Sequence, residues 1–251
     1  MANTKKFSVI RVTEHDRVKV DSLIVREFSL TIMLNGRKLV VLACSPMDFE
    51  YLAVGFIQSQ GLIDTKEDIK SIEINEPDII RVETNKSVDI TESLVLTSSG
   101  GRSGDLLNTK KIINESHITI SADRVFSLME QFEHRSRDFK VTGGVHSAAL
   151  CDTEKMLIFS EDIGRHNAVD KVFGQCLMQD IPTDNRFIIT SGRVSSDIIL
   201  KIARRNIPIL IARNSPTDLG IELATYLGIT LLGFVRGKNM NIYTNEWRIV
   251  H

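Results

Sequence analysis

Four arginines follow short apolar segments in the C-terminal half of the chain, each within a run of polar residues. The segments KMLIFS, RFIIT, IPILIA and ITLLG precede the stretches that hold Arg165, Arg193, Arg213 and Arg236. Three of these stretches lead into a predicted helix, whose first turn offers free backbone N–H groups and the positive end of the helix dipole. Guanidinium groups and hydroxyls suit phosphate oxygens. We therefore predict a polyanion-binding site, called here the anion cradle, for a ligand with two or more phosphates.

The anion cradle draws its residues from all four post-strand stretches. A single arginine or serine at a helix start is usually a cap or a surface charge, but four such stretches at one sheet edge favour a ligand site. His166 is either a proton-transfer group or a hydrogen-bonded structural residue, and His146 has no partners spaced for a metal site. The predicted members are Arg165, His166, Asn167, Ser191, Gly192, Arg193, Ser195, Arg213, Ser215, Thr217, Phe234, Val235, Arg236, Gly237, Lys238 and Asn239.

The elements that must position these residues alternate between apolar strands and helices from about residue 144 onward. Helices are expected over 165–178, 195–205 and 216–228, with Pro216 in a first turn and Gly228 at a helix end. Continuous apolar strands between helices indicate a mostly parallel sheet covered on both faces. Ligands bind beyond the carboxyl ends of such strands. A further helix is predicted over 121–132, with Ser121 as its N-cap.

The N-terminal part has the pattern of a β-rich unit with one helix. Asn35-Gly36 predicts a hairpin turn between strands at 23–33 and 38–44. A helix should follow and end near Gly61, and residues 69–97 read as short strands. Residues 98–117 are rich in Gly, Ser and Asn and predict a long loop. The expected division is a β-rich subdomain over 1–97, a loop over 98–117 and an α/β domain over 118–251.

Composition limits the class of function. The 251 residues carry 31 Lys and Arg against 32 Asp and Glu, a balance that argues against nucleic-acid and membrane-surface binding. No apolar run suggests a signal peptide or a membrane span, so a cytoplasmic location is expected. Cys44, Cys151 and Cys176 are widely spaced and in apolar surroundings. They are predicted to be buried hydrophobic side chains, with neither a disulfide nor a metal site.

Several long motifs, taken in order, resemble one family. They are NGRKLVVLACSPMDFEYLAVGFIQSQGLI, TGGVHSAAL, EDIGRHNAVDKV, SGRVSSDIILKIAR, NSPTDLGIELA and GITLLGFVRGKNMNIYT. Together they closely resemble the formate dehydrogenase accessory sulfurtransferase family (FdhD/NarQ) over about residues 23–244. The resemblance implies a three-layer, cytidine-deaminase-like α/β/α domain.

The resemblance also implies a role in maturing a molybdenum- or tungsten-dependent formate dehydrogenase. Family members take sulfur from a cysteine desulfurase as a persulfide and pass it to the bis-molybdopterin guanine dinucleotide cofactor. They then help to deliver that cofactor to the apo formate dehydrogenase, and they tend to form homodimers. The family's cofactor-binding segment matches residues 234–239. The deaminase zinc signature is absent, because Ser147 and Ala148 follow His146.

One departure from the family pattern leaves three hypotheses for the function of the chain. The family carries a CxxC in a pattern like SSCGxCG, but Gly100 and Ser103 stand at the cysteine positions here, with Arg102 between them as a candidate anion contact. A persulfide needs a thiolate, which neither residue supplies. The chain is then a cofactor-binding chaperone without the sulfur relay, or a sulfurtransferase that uses another cysteine. The third hypothesis is a small-molecule enzyme with His146 or His166 as general base.

Overall fold

A long hairpin opens the part of the chain that the structure describes. A computed structural model of the protein describes residues 3–86 and 116–250. Strands β1 (Thr4–Val12) and β2 (Arg17–Val25) pair antiparallel along their whole length. The sequence predicted one strand over 23–33, which is wrong, because β2 ends at Val25 and the next strand begins at Phe28.

A second sheet, the N-terminal sheet, has four strands in the order β4-β3-β6-β5. Its strands are β3 (Phe28–Leu34), β4 (Arg37–Cys44), β5 (Ile69–Glu76) and β6 (Ile79–Thr84). The predicted turn is confirmed, since Asn35 and Gly36 both have positive φ, 50° and 73°. Helix α1 (Phe49–Ser59) packs its buried residues on this sheet and is followed by Gly61 at φ 74°. The strands predicted within 88–97 and the loop over 98–117 lie largely outside the described residues.

A central sheet of six strands has the order β13-β12-β11-β10-β8-β9. Its strands are β8 (His146–Cys151), β9 (Met156–Asp162), β10 (Phe187–Thr190), β11 (Ile209–Ala212), β12 (Thr230–Arg236) and β13 (Asn239–Thr244). The mixed α/β character is confirmed, but the prediction of a mostly parallel sheet is wrong. Only the β10–β11 and β11–β12 pairs are parallel. The connections β8–β9 and β12–β13 are too short for a crossover and therefore form hairpins.

Helices cover both faces of the central sheet. Successive residues of each strand point to opposite faces, so Ile188 packs in the core of one face, whereas Ile189 packs in the core of the other. A short parallel pair, β7 (Ile120–Ser121) with β14 (Ile249–Val250), joins the ends of this region. The helices are α2 (Ala122–Arg135), α3 (Arg137–Thr142), α4 (Arg165–Met178), α5 (Ser196–Ala203) and α6 (Asp218–Tyr226).

The helix boundaries agree closely with the sequence, with one exception. Ser121 caps α2 as predicted, because its hydroxyl accepts from the Arg124 N–H. Pro216 is not in a first turn, because Thr217 is the N-cap of α6 and Pro216 precedes it. Within the two described ranges, no helix has the length and apolar character needed to cross a membrane.

Helices α1 and α4 cross at two glycines and thereby join the N-terminal sheet to the central one. A Cβ placed on Gly55 would lie 1.8 Å from the Asp170 carbonyl oxygen, and one on Gly174 would lie 1.9 Å from the Tyr51 carbonyl oxygen. Only glycine permits this approach of two backbones. The crossing fixes α4, whose first residue is Arg165, relative to the N-terminal sheet.

Candidate functional site

The four arginine-bearing stretches meet at one edge of the central sheet, as predicted. Strands β9, β10, β11 and β12 all run in the same direction, because β9 and β10 are each antiparallel to β8 between them. Their carboxyl ends therefore share an edge with the start of β8 at His146. Helices α4, α5 and α6 begin from this edge, so their N-terminal backbone amides face the same region.

Hydrogen bonds connect the stretches into one surface. Arg236 Nη2 donates to Asn214 Oδ1 at 3.0 Å, and Asn214 Nδ2 donates to the Ser191 carbonyl at 2.8 Å. The Ser191 hydroxyl accepts from the Ser147 N–H at 2.9 Å and lies 3.3 Å from His146 Nδ1. These contacts hold the ends of β8, β10, β11 and β12 at fixed separations. The side chains of Ser191 and Arg236 are thus held in place by contacts within the protein.

Positive charge accumulates between the starts of α4 and α5. Burial and then the nearby Arg193 lower the pKa of Arg165. The Arg165 Nε atom is buried and has no hydrogen-bond partner among the described residues. Its side chain leaves no room at Gly192, where an added Cβ would lie 2.8 Å from the Arg165 Cβ. Arg193 and Arg165 repel one another, Asp197 opposes that effect on Arg165, and a bound anion would relieve the remaining repulsion.

The pKa values of both histidines of the site are lowered. Burial, followed by Lys201, Arg165 and His146, lowers the pKa of His166 to about 3. Burial and then Arg165 lower the pKa of His146. His166 Nε2 lies 3.4 Å from the Ser195 hydroxyl. A histidine with such a low pKa is a weak base, so His166 suits hydrogen bonding better than proton abstraction.

Several predicted members also have structural contacts. Arg213 forms an ion pair with Glu133. Thr217 accepts from the Gly220 N–H at 3.1 Å, and Ser215 accepts from the Val194 N–H through its carbonyl.

The side chains of two further members are buried within the protein. Asn167 donates to the carbonyl of Ala43 and to Asp162, and Val235 is fully buried in the core. Phe234, Arg236, Gly237, Lys238 and Asn239 are exposed at the turn between β12 and β13, while Arg193 is exposed after β10.

A cavity of about 550 Å³ opens beside the anion cradle. Its walls include His146, Ser191 and Asn214 from the sheet edge. Phe132 and Phe139, from α2 and α3, form part of the opposite wall. This second wall is not evident in the sequence, because α2 precedes the β–α repeats along the chain. The only signal was the cluster of charged and aromatic residues in EHRSRDFK, at 133–140.

All three cysteines of the chain lie in the described residues and none is accessible. Cys44 and Cys151 are fully buried and Cys176 is 4% exposed. Burial raises the pKa of each thiol to about 12. Their prediction as buried hydrophobic side chains is confirmed. Gly100, Arg102 and Ser103 lie outside the described residues. Across residues 3–86 and 116–250, no three His, Cys, Asp or Glu side chains are grouped to hold a metal ion.

Comparison with known proteins gives consistent relatives. Residues 25–250 match the model of the FdhD/NarQ family. The sulfur carrier protein FdhD of Bacillus pumilus is 40% identical over 235 residues, covering 90% of each chain. The protein of the same name from Bacillus subtilis is 39% identical over 252 residues, covering 96% of this chain and 95% of the relative. A crystal structure of a candidate formate dehydrogenase accessory protein from Desulfotalea psychrophila superposes with a TM-score of 0.82 at 27% identity. It covers 99% of this chain and 100% of that one.

Proposed function

The chain belongs to the FdhD/NarQ family, and on that premise we propose that it is a cofactor-handling accessory protein of formate dehydrogenase. It binds bis-molybdopterin guanine dinucleotide as a client and supports its sulfuration and its insertion into the apo formate dehydrogenase. The convergence of Arg165, Arg193 and Arg236 at one sheet edge carries this proposal.

The chemistry of the client matches the chemistry of that edge. The cofactor carries two nucleotide diphosphates, which need several positive donors at fixed spacing. Arg193 and Arg236 supply exposed guanidinium groups, and the first turns of α4 and α5 supply backbone N–H groups. Phe234 is 42% exposed beside Arg236, whose Cζ lies 5.9 Å from the ring centroid. Its ring offers a flat surface on which guanine can stack.

The sulfur step is assigned to a group outside this chain. Its three thiols are buried and protonated at neutral pH, and a protonated thiol does not attack a persulfide. Glycine and serine occupy the two positions where the family has its cysteines. The protein therefore holds the cofactor while sulfur arrives from a cysteine desulfurase or another carrier. The alternative, a sulfurtransferase that uses its own Cys44, Cys151 or Cys176, requires one of them to become exposed.

Calorimetric titration with GDP tests the binding proposal. Saturable binding is expected for the wild type, and Arg193→Ala and Arg236→Ala should each weaken it about tenfold or more, since each removes a charge-assisted contact. Arg11→Ala, on the distant exposed strand β1, is the control and should bind as the wild type does. Absence of binding at millimolar GDP, or equal weakening by Arg11→Ala, would contradict the proposal.

Incubation with a cysteine desulfurase and labelled cysteine tests the sulfur assignment. No label is expected on this chain. Stable label on the wild type that is lost in a cysteine-to-alanine variant would instead establish the alternative and identify the carrier.

The small-molecule enzyme is a weaker candidate, because burial lowers the pKa of His166 to about 3 and also lowers the pKa of His146. Two further expectations stay proposals. The helix-covered sheet supports the cytidine-deaminase-like domain type. The homodimer is testable by sedimentation at micromolar concentration.

A further inference from the structure

The turn between β9 and α4 is fastened to the N-terminal sheet. The backbone N–H of Ile163 donates to the Ser45 hydroxyl at 3.1 Å. Asn167, in the first turn of α4, donates from Nδ2 to the Ala43 carbonyl at 2.8 Å. Ala43 and Ser45 lie at the end of β4. The segment that leads into Arg165 is therefore held by residues about 120 positions earlier in the chain.

Asp162 is the centre of this attachment. Its side chain is fully buried and forms an ion pair with Lys171 at 2.7 Å. Oδ2 also accepts from the Ser45 N–H at 3.0 Å, while Oδ1 accepts from the Gly164 N–H at 2.8 Å and from Asn167 Nδ2 at 2.9 Å. A buried carboxylate with donors on both oxygens has one orientation available to it. These contacts link the end of β4, the turn and α4 into one hydrogen-bonded unit.

This unit determines where part of the anion cradle lies. Arg165 directly follows Gly164, and its side chain packs on Gly192 in the neighbouring stretch. His166, the next residue, reaches Ser195 at the start of α5. Asp162 and Ser45 touch none of the exposed arginines, yet their contacts fix the residues beside them.

We propose that Ser45 and Asp162 are positioning residues for the anion cradle, so that the N-terminal sheet sets the affinity of a site it does not line. This inference rests on the proposed binding of a guanosine diphosphate group at the cradle. The contact with the N-terminal sheet acts through the turn at Ile163 and Gly164.

The chain contains a matched control at the other buried aspartate. The Ser59 hydroxyl donates to Asp170 Oδ1 at 2.6 Å, and Asp170 pairs with Lys201 in the interior. Ser59, like Ser45, is a buried serine of the N-terminal part that bonds across to the C-terminal part. Ser59 lies at the end of α1 and Asp170 lies within α4, so neither contacts the turn before Arg165.

Titration of both serine variants with GDP tests the inference. Ser45→Ala should weaken GDP binding about fivefold, the equivalent of one lost hydrogen bond. Ser59→Ala loses a comparable bond and should bind GDP as the wild type does. The inference is overturned if Ser45→Ala binds GDP as tightly as the wild type does. It is also overturned if both variants weaken GDP binding equally, which would indicate a general loss of stability.

Hydrogen exchange of the ligand-free protein separates this inference from the proposed function. The amides of Ile163 and Gly164 should exchange faster in Ser45→Ala and at the wild-type rate in Ser59→Ala. A wild type that fails to bind GDP removes the proposed function, while the exchange rates still decide whether Ser45 positions the turn. Unchanged exchange in Ser45→Ala overturns the positioning role whatever the affinity.

Discussion

The crossing of α1 and α4 leaves no space for side chains at its two glycines. Replacing Gly55 with alanine would place a methyl group 1.8 Å from the Asp170 carbonyl oxygen, whereas ordinary contacts begin near 3.4 Å. The helices would have to separate by roughly 1.5 Å, because a close-packed interior offers no other space. That movement would also disturb Asp170, which holds Lys201 and Ser59.

Two opposing effects decide whether Gly55→Ala raises or lowers the free energy of unfolding. Helix propensity favours alanine by about 1 kcal/mol. Overpacking costs about 1–3 kcal/mol and more when backbones must shift. Displacement of a buried ion pair adds about 2 kcal/mol, part of the roughly 3–5 kcal/mol that removal of one partner costs. We expect a net loss of about 2–4 kcal/mol in the free energy of unfolding.

Urea unfolding followed by circular dichroism measures this loss. Gly174→Ala should behave like Gly55→Ala, since its Cβ would lie 1.9 Å from the Tyr51 carbonyl oxygen. Gly220→Ala is a graded control, because a Cβ at Gly220 would lie 2.9 Å from the nearest backbone atom. This variant should lose clearly less free energy of unfolding than Gly55→Ala does. If Gly55→Ala were as stable as the wild type, helix propensity would dominate and the close crossing would be refuted.

Three further outcomes follow from the site. Because the pKa of His166 is about 3 in the folded protein and 6.5 ordinarily, only the unfolded state takes up its proton as pH falls between these values. Because of this group, the free energy of unfolding should fall by about 1.4 kcal/mol for each unit by which the pH is lowered. His166→Gln should therefore reduce the pH dependence of the free energy of unfolding, measured with urea between pH 6 and 4. Phe234 has φ 52°, which asparagine adopts at lower cost. Phe234→Asn should keep or raise Tm. Calorimetry should nevertheless show GDP binding weakened about fivefold or more, because the stacking surface is lost. If Tm fell together with the affinity, a role of Phe234 in stacking would be contradicted. Cys44, Cys151 and Cys176 should resist a thiol reagent in the native protein and react in urea, whereas rapid native labelling would revive the thiol alternative.

The shared sheet edge of the four arginine-bearing stretches could be predicted from sequence, because local patterns determine it. Apolar runs marked the strands, and polar stretches with arginine followed each of them. Once β9 to β12 share a direction, those stretches must share an edge. Asn35-Gly36 likewise fixes a hairpin by its own backbone preference.

What the sequence did not reveal depends on long-range packing. The wall formed by Phe132 and Phe139 belongs to α2 and α3, which approach the sheet edge only in the folded chain. Asp162 and Asp170 pair with Lys171 and Lys201, which lie on α4 and α5, and these pairings form only in the folded chain. The excess of antiparallel pairs came from two short connections whose lengths outweighed the apolar pattern of the strands.

Binding of the cofactor at the anion cradle can be tested on the protein as cells produce it. The protein would be purified without oxygen from cells that make the cofactor, and its nucleotide content would be measured. Guanine nucleotide released by acid would be quantified for the wild type and for the Arg193→Ala/Arg236→Ala double variant, with folding of both confirmed by circular dichroism. We expect nucleotide on the wild type and at least a tenfold lower content on the folded variant. A wild type without nucleotide, or equal content on both proteins, would contradict it.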